Sequence, residues 1–169
     1  MTMILETDRL TLRELRPDDL DELAAMGEDE EQMRFYPGVR TRAETVAWLD
    51  RHLAMYPAHG YGFWLIEVDG AFAGYCGIRP IELDGVAQTE IGWHIHKRFW
   101  NQGVATEAAS AVQQLAHDRF GVPAPIALIN PDHHASRRVA EKIGLQATRT
   151  TTFEGDPYVV YVRKRPASR

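Results

Sequence analysis

A short polar turn followed by an alanine-rich segment is the part of this 169-residue sequence best suited to chemistry. The turn spans residues 100–103 and lies between a strand-like stretch at 89–95 and a helical pattern that begins near Val104. The first N–H groups of a helix have no partners within the helix, and the helix dipole adds partial positive charge there. Gly103 has no side chain, so an anion can approach its backbone closely. The spacing therefore predicts a binding site for a phosphate-bearing cofactor.

Strands and tight turns are predicted on the N-terminal side of this site. Alternating apolar and polar residues indicate a strand at 9–15, and β-forming residues indicate further strands at 62–68, 71–78 and 89–95. Asp69-Gly70 and the turn at 83–85 tolerate the positive φ angles of hairpins. The last three strands are therefore expected to be antiparallel.

A capping box is predicted where a helix begins at Thr41, because Glu44 follows three residues later. The apolar stripe of that helix is expected at Val46, Leu49 and Leu53. An earlier helix is expected to open at Pro17, which is followed by acidic residues.

The helix after the turn at 100–103 is the clearest one, and Gly121 and Pro123 are expected to end it. A buried strand at 125–129, a helix at 135–143 and a closing hairpin of strands 150–153 and 158–163 follow. Because strand–helix–strand connections cross over right-handedly, the strands at 89–95 and 125–129 are expected to be parallel. The sum is an α+β fold with a mixed, mostly antiparallel sheet of six to seven strands, in one domain over residues 1–169.

The composition is that of an ordinary globular domain, with 44% hydrophobic and 25% charged residues. The net charge of −5 argues against broad nucleic-acid binding, and no apolar run is long enough to span a membrane. Cys76 is the only cysteine, so an internal disulfide and a thiolate zinc site are both excluded. These properties predict a cytoplasmic protein without nucleic-acid or membrane partners. The histidine pairs 94/96 and 133/134 are weak metal candidates, and no metal is expected.

Four stretches, taken in order, resemble the GNAT acyltransferase superfamily, and within it the branch of ribosomal-protein N-terminal acetyltransferases. They are ETDRLTLR at 6–13, TEIGW at 89–93, NQGVATEA at 101–108 and ASRRVAEKIG at 135–144. The sequence departs from the superfamily pattern at Trp100, where Arg or Gln is usual, at Asn101, where this branch often has Gly, and at His133, where Asn is common.

The resemblance implies acetyl-CoA as the cofactor, with its pyrophosphate over the backbone of residues 102–105 and its pantetheine along the strand edge near 93–95. In this fold the parallel strands, here 89–95 and 126–130, splay apart and expose that edge. Arg98 and Arg138 could meet phosphates or remain solvated surface charges. The expected cofactor-binding residues are Trp93, His94, Ile95, Arg98, Asn101, Gln102, Gly103, Val104, Ala105, Thr106, Asn130 and Arg138.

The implied reaction is direct transfer of an acetyl group to a primary amine, which needs a base to remove a proton. Glu90 is the candidate base, with His94 as runner-up, and a backbone N–H near His94 or Ile95 is the candidate oxyanion donor. The resemblance points to Ser136 as the proton donor to the departing thiolate. The structural alternatives are a Glu90 that bonds neighbouring backbone and a Ser136 that caps a helix.

The acceptor amine stays open between a protein N-terminus and a small metabolite, and Phe35, Tyr36 and Tyr56 are candidates to line its site. The alternative function is a non-catalytic sensor that binds acyl-CoA; a purely structural protein would leave the phosphate-binding turn unexplained. A homodimer that pairs through the closing hairpin is also possible.

Overall fold

Two sheets meet in the computed structural model, which describes residues 2–166. Five antiparallel strands form the first sheet in chain order: β1 Met3–Glu6, β2 Leu10–Glu14, β3 Phe63–Val68, β4 Ala71–Leu83 and β5 Val86–Ile95. Three more form the second sheet in the order β6-β8-β7: β6 Ala127–Ile129, β7 Leu145–Phe153 and β8 Asp156–Arg163. The α-helices of the described residues are α1 Leu20–Glu28, α2 Arg42–Leu53, α3 Met55–His59, α4 Val104–Phe120 and α5 His134–Lys142. Short 3-10 turns at Pro17–Asp19 and Lys97–Phe99 precede α1 and α4. The predicted α+β fold is confirmed.

A single parallel bridge joins the two sheets, between Glu90 on β5 and Ile126 just before β6. The N–H of Ile91 donates to the carbonyl of Ile126 at 2.8 Å, and the N–H of Ile126 donates to the carbonyl of Thr89 at 2.9 Å. No further pairing links β5 with β6 in the described chain, so the rest of β5 presents an open edge. The predicted parallel orientation is thus confirmed, but the strands form two sheets rather than one.

Two-residue turns set the register of the first sheet. Asp69 and Gly70 have φ angles of 50° and 77°, and Asp84 and Gly85 have 50° and 79°, as tight hairpins require. The second turn pairs Leu83 with Val86 and extends β4 well beyond the predicted end at residue 78. Residues of β4 and β5 therefore face each other across the whole length of this long hairpin.

The capping box of α2 forms as predicted: Thr41 Oγ1 accepts from the N–H of Glu44, and the Glu44 carboxylate accepts from the N–H of Thr41. The predicted stripe was wrong in part, because Val46 is 39% exposed and Leu53 only half-buried. The buried face is offset by one residue from the prediction and follows helical spacing. It consists of Thr45, Trp48, Leu49 and His52.

The first sheet lies between two apolar layers. On one face, α4 packs its alanines Ala108 and Ala109 against Trp64 and Ile91. On the other face, α1 and α2 pack against Phe63, Leu65 and Tyr75. Each fully buried large side chain contributes about 1.5–3 kcal/mol. Because side chains alternate along a strand, Glu90, Gly92 and His94 of β5 point to the face of α1 and α2. No helix in residues 2–166 is long and apolar enough to cross a bilayer.

Candidate active site

The turn before α4 presents unpaired backbone donors. Asn101 and Gly103 have φ angles of 59° and 76°, the left-handed conformation that glycine adopts without strain. The first intrahelical bond of α4 runs from the N–H of Glu107 to the carbonyl of Gly103, at 3.0 Å. The N–H groups of Val104, Ala105 and Thr106 therefore have no acceptor within the helix. This cradle fits an anionic group such as a pyrophosphate.

Trp100 ties this turn to the end of β5. Its indole N–H donates to the carbonyl of Ile95 at 2.8 Å, and the side chain of Gln102 donates to the carbonyl of Arg98 at 3.0 Å. Trp100, one of the three residues that depart from the superfamily pattern, thus has a positioning contact of its own.

The open edge of β5 offers the backbone of Trp93 and the N–H of Ile95, whose carbonyl already accepts from Trp100 and Gln32. The N–H of Ile91 points to the second sheet, whereas the N–H of His96 points to the carbonyl of Ala73 on the β4 side, at 2.8 Å. Because backbone groups alternate along a strand, the N–H groups of Trp93 and Ile95 face the cleft. The indole N–H of Trp93 is also buried, with no partner among the described residues.

His94 lies in a buried polar network rather than in the cleft, and this placement bears on three expectations. Its Nδ1 lies 3.1 Å from the Tyr75 hydroxyl, its Nε2 lies 3.0 Å from Gln32 Nε2, and its ring stacks on Tyr36 at 4.5 Å. Burial lowers the pKa of His94 to about 3. Its own N–H points towards β4 by the same alternation. The structure therefore argues against His94 as the runner-up base, as the oxyanion donor and as a contact of the cofactor.

Gln32 also fixes the end of the open edge. Its side-chain amide donates to the carbonyl of Ile95 at 2.8 Å and accepts from the N–H of Lys97 at 2.8 Å. The ammonium of Lys97 lies 2.5 Å from Asp29 and 3.2 Å from Glu31. Part of the acidic run at 28–31 thus pairs with this lysine.

Glu90 lies where the two sheets diverge, and it is only 8% exposed. Its Oε1 accepts a hydrogen bond from Arg79 Nε at 2.9 Å, so its observed partner is a cation on β4 rather than the neighbouring backbone. Burial raises the pKa of Glu90 above its usual value, although Arg79 acts in the opposite direction. Gly92 lies beside it and makes room for the ring of Phe63, from which a Cβ at position 92 would lie only 3.0 Å away. A carboxylate in this setting keeps its proton to a higher pH than an exposed glutamate does, as suits a group that accepts a proton.

Ser136 lies in the first turn of α5 and is half-buried. The helix begins with His133 as N-cap, whose side chain makes no capping hydrogen bond. The alternative of Ser136 as the cap is therefore wrong, and its role towards the thiolate stays a prediction.

Residues at the end of β6 contact the connection between α1 and α2. Asn130 Nδ2 donates to the carbonyl of Phe35 at 3.3 Å, and Asn130 Oδ1 accepts from the N–H of Asp132 at 2.9 Å. The ring of His133 stacks on Phe35 with centroids 4.3 Å apart. Burial lowers the pKa of His133 to about 4, so this ring is neutral.

Arg98 and Arg138 are exposed, and the guanidinium of Arg98 lies 4.8 Å from the ring centroid of Phe99. Their contact with phosphates stays a prediction. Tyr56 is absent from the acceptor side, because its hydroxyl donates to the carbonyl of Phe63 and accepts from the N–H of Leu15.

A small cavity of about 50 Å³ lies beside the cleft. Aromatic and polar side chains from three segments line it: Phe35, Tyr36, Pro37, Asn130, Asp156, Pro157 and Tyr158. A larger groove of about 420 Å³ lies between α4 and the chain after β8, but none of the predicted site residues lines it. The smaller cavity is the relevant one, because it adjoins Asn130 at the open end of the cleft.

Arg79 was missed in the sequence, although a signal was present. The hairpin turn at Asp84-Gly85 pairs residues whose numbers add to 169, and this register places Arg79 opposite Glu90. Gln32 had no such signal, because it reaches the site from a distant connection.

The sequence matches the model of the GNAT acetyltransferase domain over residues 9–146. It is 33% identical over 165 residues to the uncharacterised protein YkkB of Bacillus subtilis strain 168, and the match covers 95% of each chain.

Solved structures share the fold over nearly the whole chain. An acetyltransferase from Agrobacterium tumefaciens C58 has a TM-score of 0.85 at 24% identity, with coverage of 98% of this chain and 95% of that one. RimL, a ribosomal L7/L12 alpha-N-protein acetyltransferase in complex with coenzyme A, has a TM-score of 0.77 at 19% identity, with coverage of 95% and 97%. Since the family model spans most of the sequence, the chain belongs to the GNAT acetyltransferases, enzymes that take their acetyl group from acetyl-CoA.

Proposed function

We propose that this enzyme acetylates a primary amine and that Glu90 removes the proton from the attacking nitrogen. The observation that carries the proposal is a buried carboxylate at the divergence of the two sheets, next to an open strand edge. Acetyl-CoA supplies an acetyl thioester, which an uncharged amine can attack. The chain has to bind the donor, deprotonate the ammonium form of the acceptor and return a proton to the thiolate.

The donor is proposed to bind along the free edge of β5 and across the N-terminus of α4. Trp93 and Ile95 offer cleft-facing backbone groups, and residues 102–106 offer the N–H cradle. The N–H of Ile95 is the better candidate to stabilise negative charge on the carbonyl oxygen, since that of His94 faces β4.

Each proton then has a defined path. Glu90 takes one proton from the ammonium, and the uncharged nitrogen attacks the thioester carbonyl. The N–C bond forms as the C–S bond breaks, the thiolate of CoA leaves with the electron pair, and the acylated nitrogen loses its second proton to water. Ser136 is proposed to give its hydroxyl proton to this thiolate and to regain one from water. Glu90 returns its proton to solvent, so that both residues end in their starting states.

The acceptor is proposed to be a cationic amine that enters beside the 50 Å³ cavity. Phe35, Tyr36 and Tyr158 supply aromatic surface there, and Asp156 supplies negative charge. Burial is the main cause that raises the pKa of Tyr158. The negative charges of Asp156, Glu90 and Glu154 raise it further. A compact ammonium group suits this environment, whether it belongs to a peptide N-terminus or to a small amine.

The test is CoA release in the presence of amino acids, polyamines, aminoglycosides and short peptides. In Glu90→Gln, which preserves shape and can still accept from Arg79, we expect kcat to fall about 100-fold while acetyl-CoA affinity is retained. Glu82→Gln, at an exposed position of neighbouring β4, is the matched control and should keep full activity.

Binding of acetyl-CoA without turnover on any amine would favour the sensor alternative. Full activity of Glu90→Gln would exclude the proposed base.

A further inference from the structure

The loop between β1 and β2 forms hydrogen bonds with the predicted phosphate-binding turn and with the start of α4, although these segments are far apart in the sequence. Arg9 Nη1 donates to the carbonyl of Gln102 at 2.7 Å, while its Nε and Nη2 both lie 2.7 Å from Glu107 Oε2. Glu107 Oε1 accepts from Thr7 Oγ1 at 2.6 Å and from the N–H of Arg9 at 3.1 Å. We call the set of Thr7, Arg9, Gln102 and Glu107 the Arg9 latch. One guanidinium thus holds both the turn and the first helical turn that follows.

The geometry of the peptide bond converts this grip into an orientation of the cradle. The carbonyl of Gln102 and the N–H of Gly103 belong to one planar trans peptide, so they point in opposite directions. Because Arg9 holds the carbonyl on its own side, the N–H of Gly103 points away from Arg9. Arg9 Nη2 would also lie 3.3 Å from a Cβ at position 103, so the guanidinium closes one side of the turn.

The latch also removes an electrostatic conflict. Glu107 lies in the first turn of α4, where its charge favours the helix but opposes a bound phosphate. Burial acts to raise the pKa of Glu107, but the bonds from Thr7 and Arg9 outweigh it, so that this pKa lies below its usual value. Glu107 is therefore ionised, and its paired Arg9 offsets the negative charge beside the cradle.

We propose that Arg9 is a positioning residue for the acetyl donor: by holding the Gln102 carbonyl and Glu107, it aims the Gly103 N–H and neutralises the cradle for pyrophosphate. This inference rests on the proposed seat of the donor at the N-terminus of α4. It adds Arg9, which lies 93 positions from Gln102 in the sequence, to the residues of the proposed donor site. It requires no contact of Arg9 with the substrate amine.

The test compares two donors, of which only one carries the pyrophosphate. S-acetylpantetheine has the same thioester and amides as acetyl-CoA but lacks the pyrophosphate and the adenosine 3′-phosphate attached to it. Their dissociation constants are measured by calorimetry, with competition for the weaker ligand, on wild type, Arg9→Gln and Arg9→Lys. Arg42→Gln is the control, because Arg42 is exposed and pairs with exposed Asp21 at 2.5 Å, outside the donor site.

We expect Arg9→Gln to weaken acetyl-CoA about tenfold, as for loss of a charge-assisted hydrogen bond. S-acetylpantetheine should change by less than about twofold. Arg9→Lys should restore only part of the affinity, since an ammonium cannot bridge both acceptors as a guanidinium does. Arg42→Gln should leave both constants unchanged.

Three results would overturn the inference. Equal weakening of both donors in Arg9→Gln would indicate a general structural role, and full recovery in Arg9→Lys would leave charge alone as the cause. Unchanged acetyl-CoA affinity in Arg9→Gln would exclude any role. If wild type itself binds the two donors equally, the proposed pyrophosphate site at the N-terminus of α4 is wrong. If wild type prefers acetyl-CoA but Arg9→Gln does not weaken it, only the role of the Arg9 latch is wrong.

Discussion

Arg79 sets how Glu90 ionises, because its guanidinium is the partner that the buried carboxylate has in the structure. Burial disfavours the charged form of Glu90, and the cation 2.9 Å away favours it. A base works only when deprotonated, so activity is expected to rise with pH through the raised pKa of Glu90.

Arg79→Gln is predicted to raise the pKa of Glu90 further, because the favourable charge is lost. The acidic limb of the kcat/KM profile should then move to higher pH, while the affinity for acetyl-CoA stays constant. The measurement is a pH profile of wild type and variant, with Arg149→Gln as control for an exposed arginine paired with Asp84. An acidic limb at the wild-type position would show that Arg79 does not tune the base.

Single residues were predictable where a local rule applied. Strand alternation placed Glu90 and Gly92 on one face, and the structure confirms that placement. The cross-strand partner Arg79 follows from the hairpin register, but only once β4 is known to reach Leu83. The burial of His94 was not predictable, because Gln32 and Tyr36 approach it from a connection without periodic sequence.

Two strands of the first sheet approach closely at Gly77 on β4. A Cβ at this position would lie 2.1 Å from the carbonyl oxygen of Gly62 and 2.5 Å from Phe63 Cα, so the backbone would have to move. The same approach fixes Phe63, whose ring lies next to Gly92 in the site.

Gly77→Ala is predicted to lower the free energy of unfolding by about 3 kcal/mol, because backbone atoms cannot yield as a side chain does. Gly38→Ala is the matched control: a Cβ there meets no atom within 4 Å, and its φ is not in the left-handed region. Urea unfolding of both variants measures the difference. A stable Gly77→Ala would contradict the close approach of the two strands.

At the scale of elements, helix and hairpin signals were reliable because they depend on near neighbours. The cap of α2, the Gly121 end of α4 and the turns at Asp69-Gly70 and Asp84-Gly85 all follow local chemistry. The break between β5 and β6 does not, since periodicity reports which face is buried and not where two strands part. Strand β1 was missed because it is short and lies at an edge of the first sheet. Strand β7 lies at an edge of the second sheet, and dimerisation through the closing hairpin stays a prediction.

Buried histidines make the whole molecule sensitive to acid. Burial lowers the pKa of His52 to about 4 and that of His94 to about 3, below the ordinary value of 6.5. The unfolded chain therefore binds more protons between these values, and stability present above pH 6.5 is lost as pH falls towards 4 and 3. At pH 5 each histidine costs about 2 kcal/mol relative to neutral pH.

His52→Phe is predicted to flatten this dependence. The ring stacks between Trp48 and Phe63, and its Nε2 is buried without a partner among the described residues, so an apolar ring suits the position. Between pH 8 and pH 5 the variant should lose about 2 kcal/mol less unfolding free energy than wild type. Exposed His59→Gln serves as control, and equal slopes for all three proteins would refute the assignment.

The fold as a whole was predictable because four short motifs in order resemble one family, and the family match over residues 9–146 agrees with them. The acceptor side was not predictable from those motifs. Its walls come from the connection between α1 and α2 and from the turn between β7 and β8, where no motif lies. The motifs therefore predict the donor site that we propose, to which the fold brings Arg9, whereas the walls of the acceptor side depend on tertiary packing.

Backbone hydrogen bonds join the two sheets only around the pair Glu90–Ile126 in the described chain, and the side-chain bonds of Asp84 with Arg149 and Thr151 form a second link at the end of the long hairpin. If that second link opens, the pair Glu90–Ile126 can act as a pivot. Rotation of one sheet about it displaces each atom in proportion to its distance from the pivot. Ile95 and Asn130, at the far ends of the diverging strands, would travel furthest, and the Glu90 backbone least. Such a rotation would widen the cleft while the backbone of Glu90 stays in place.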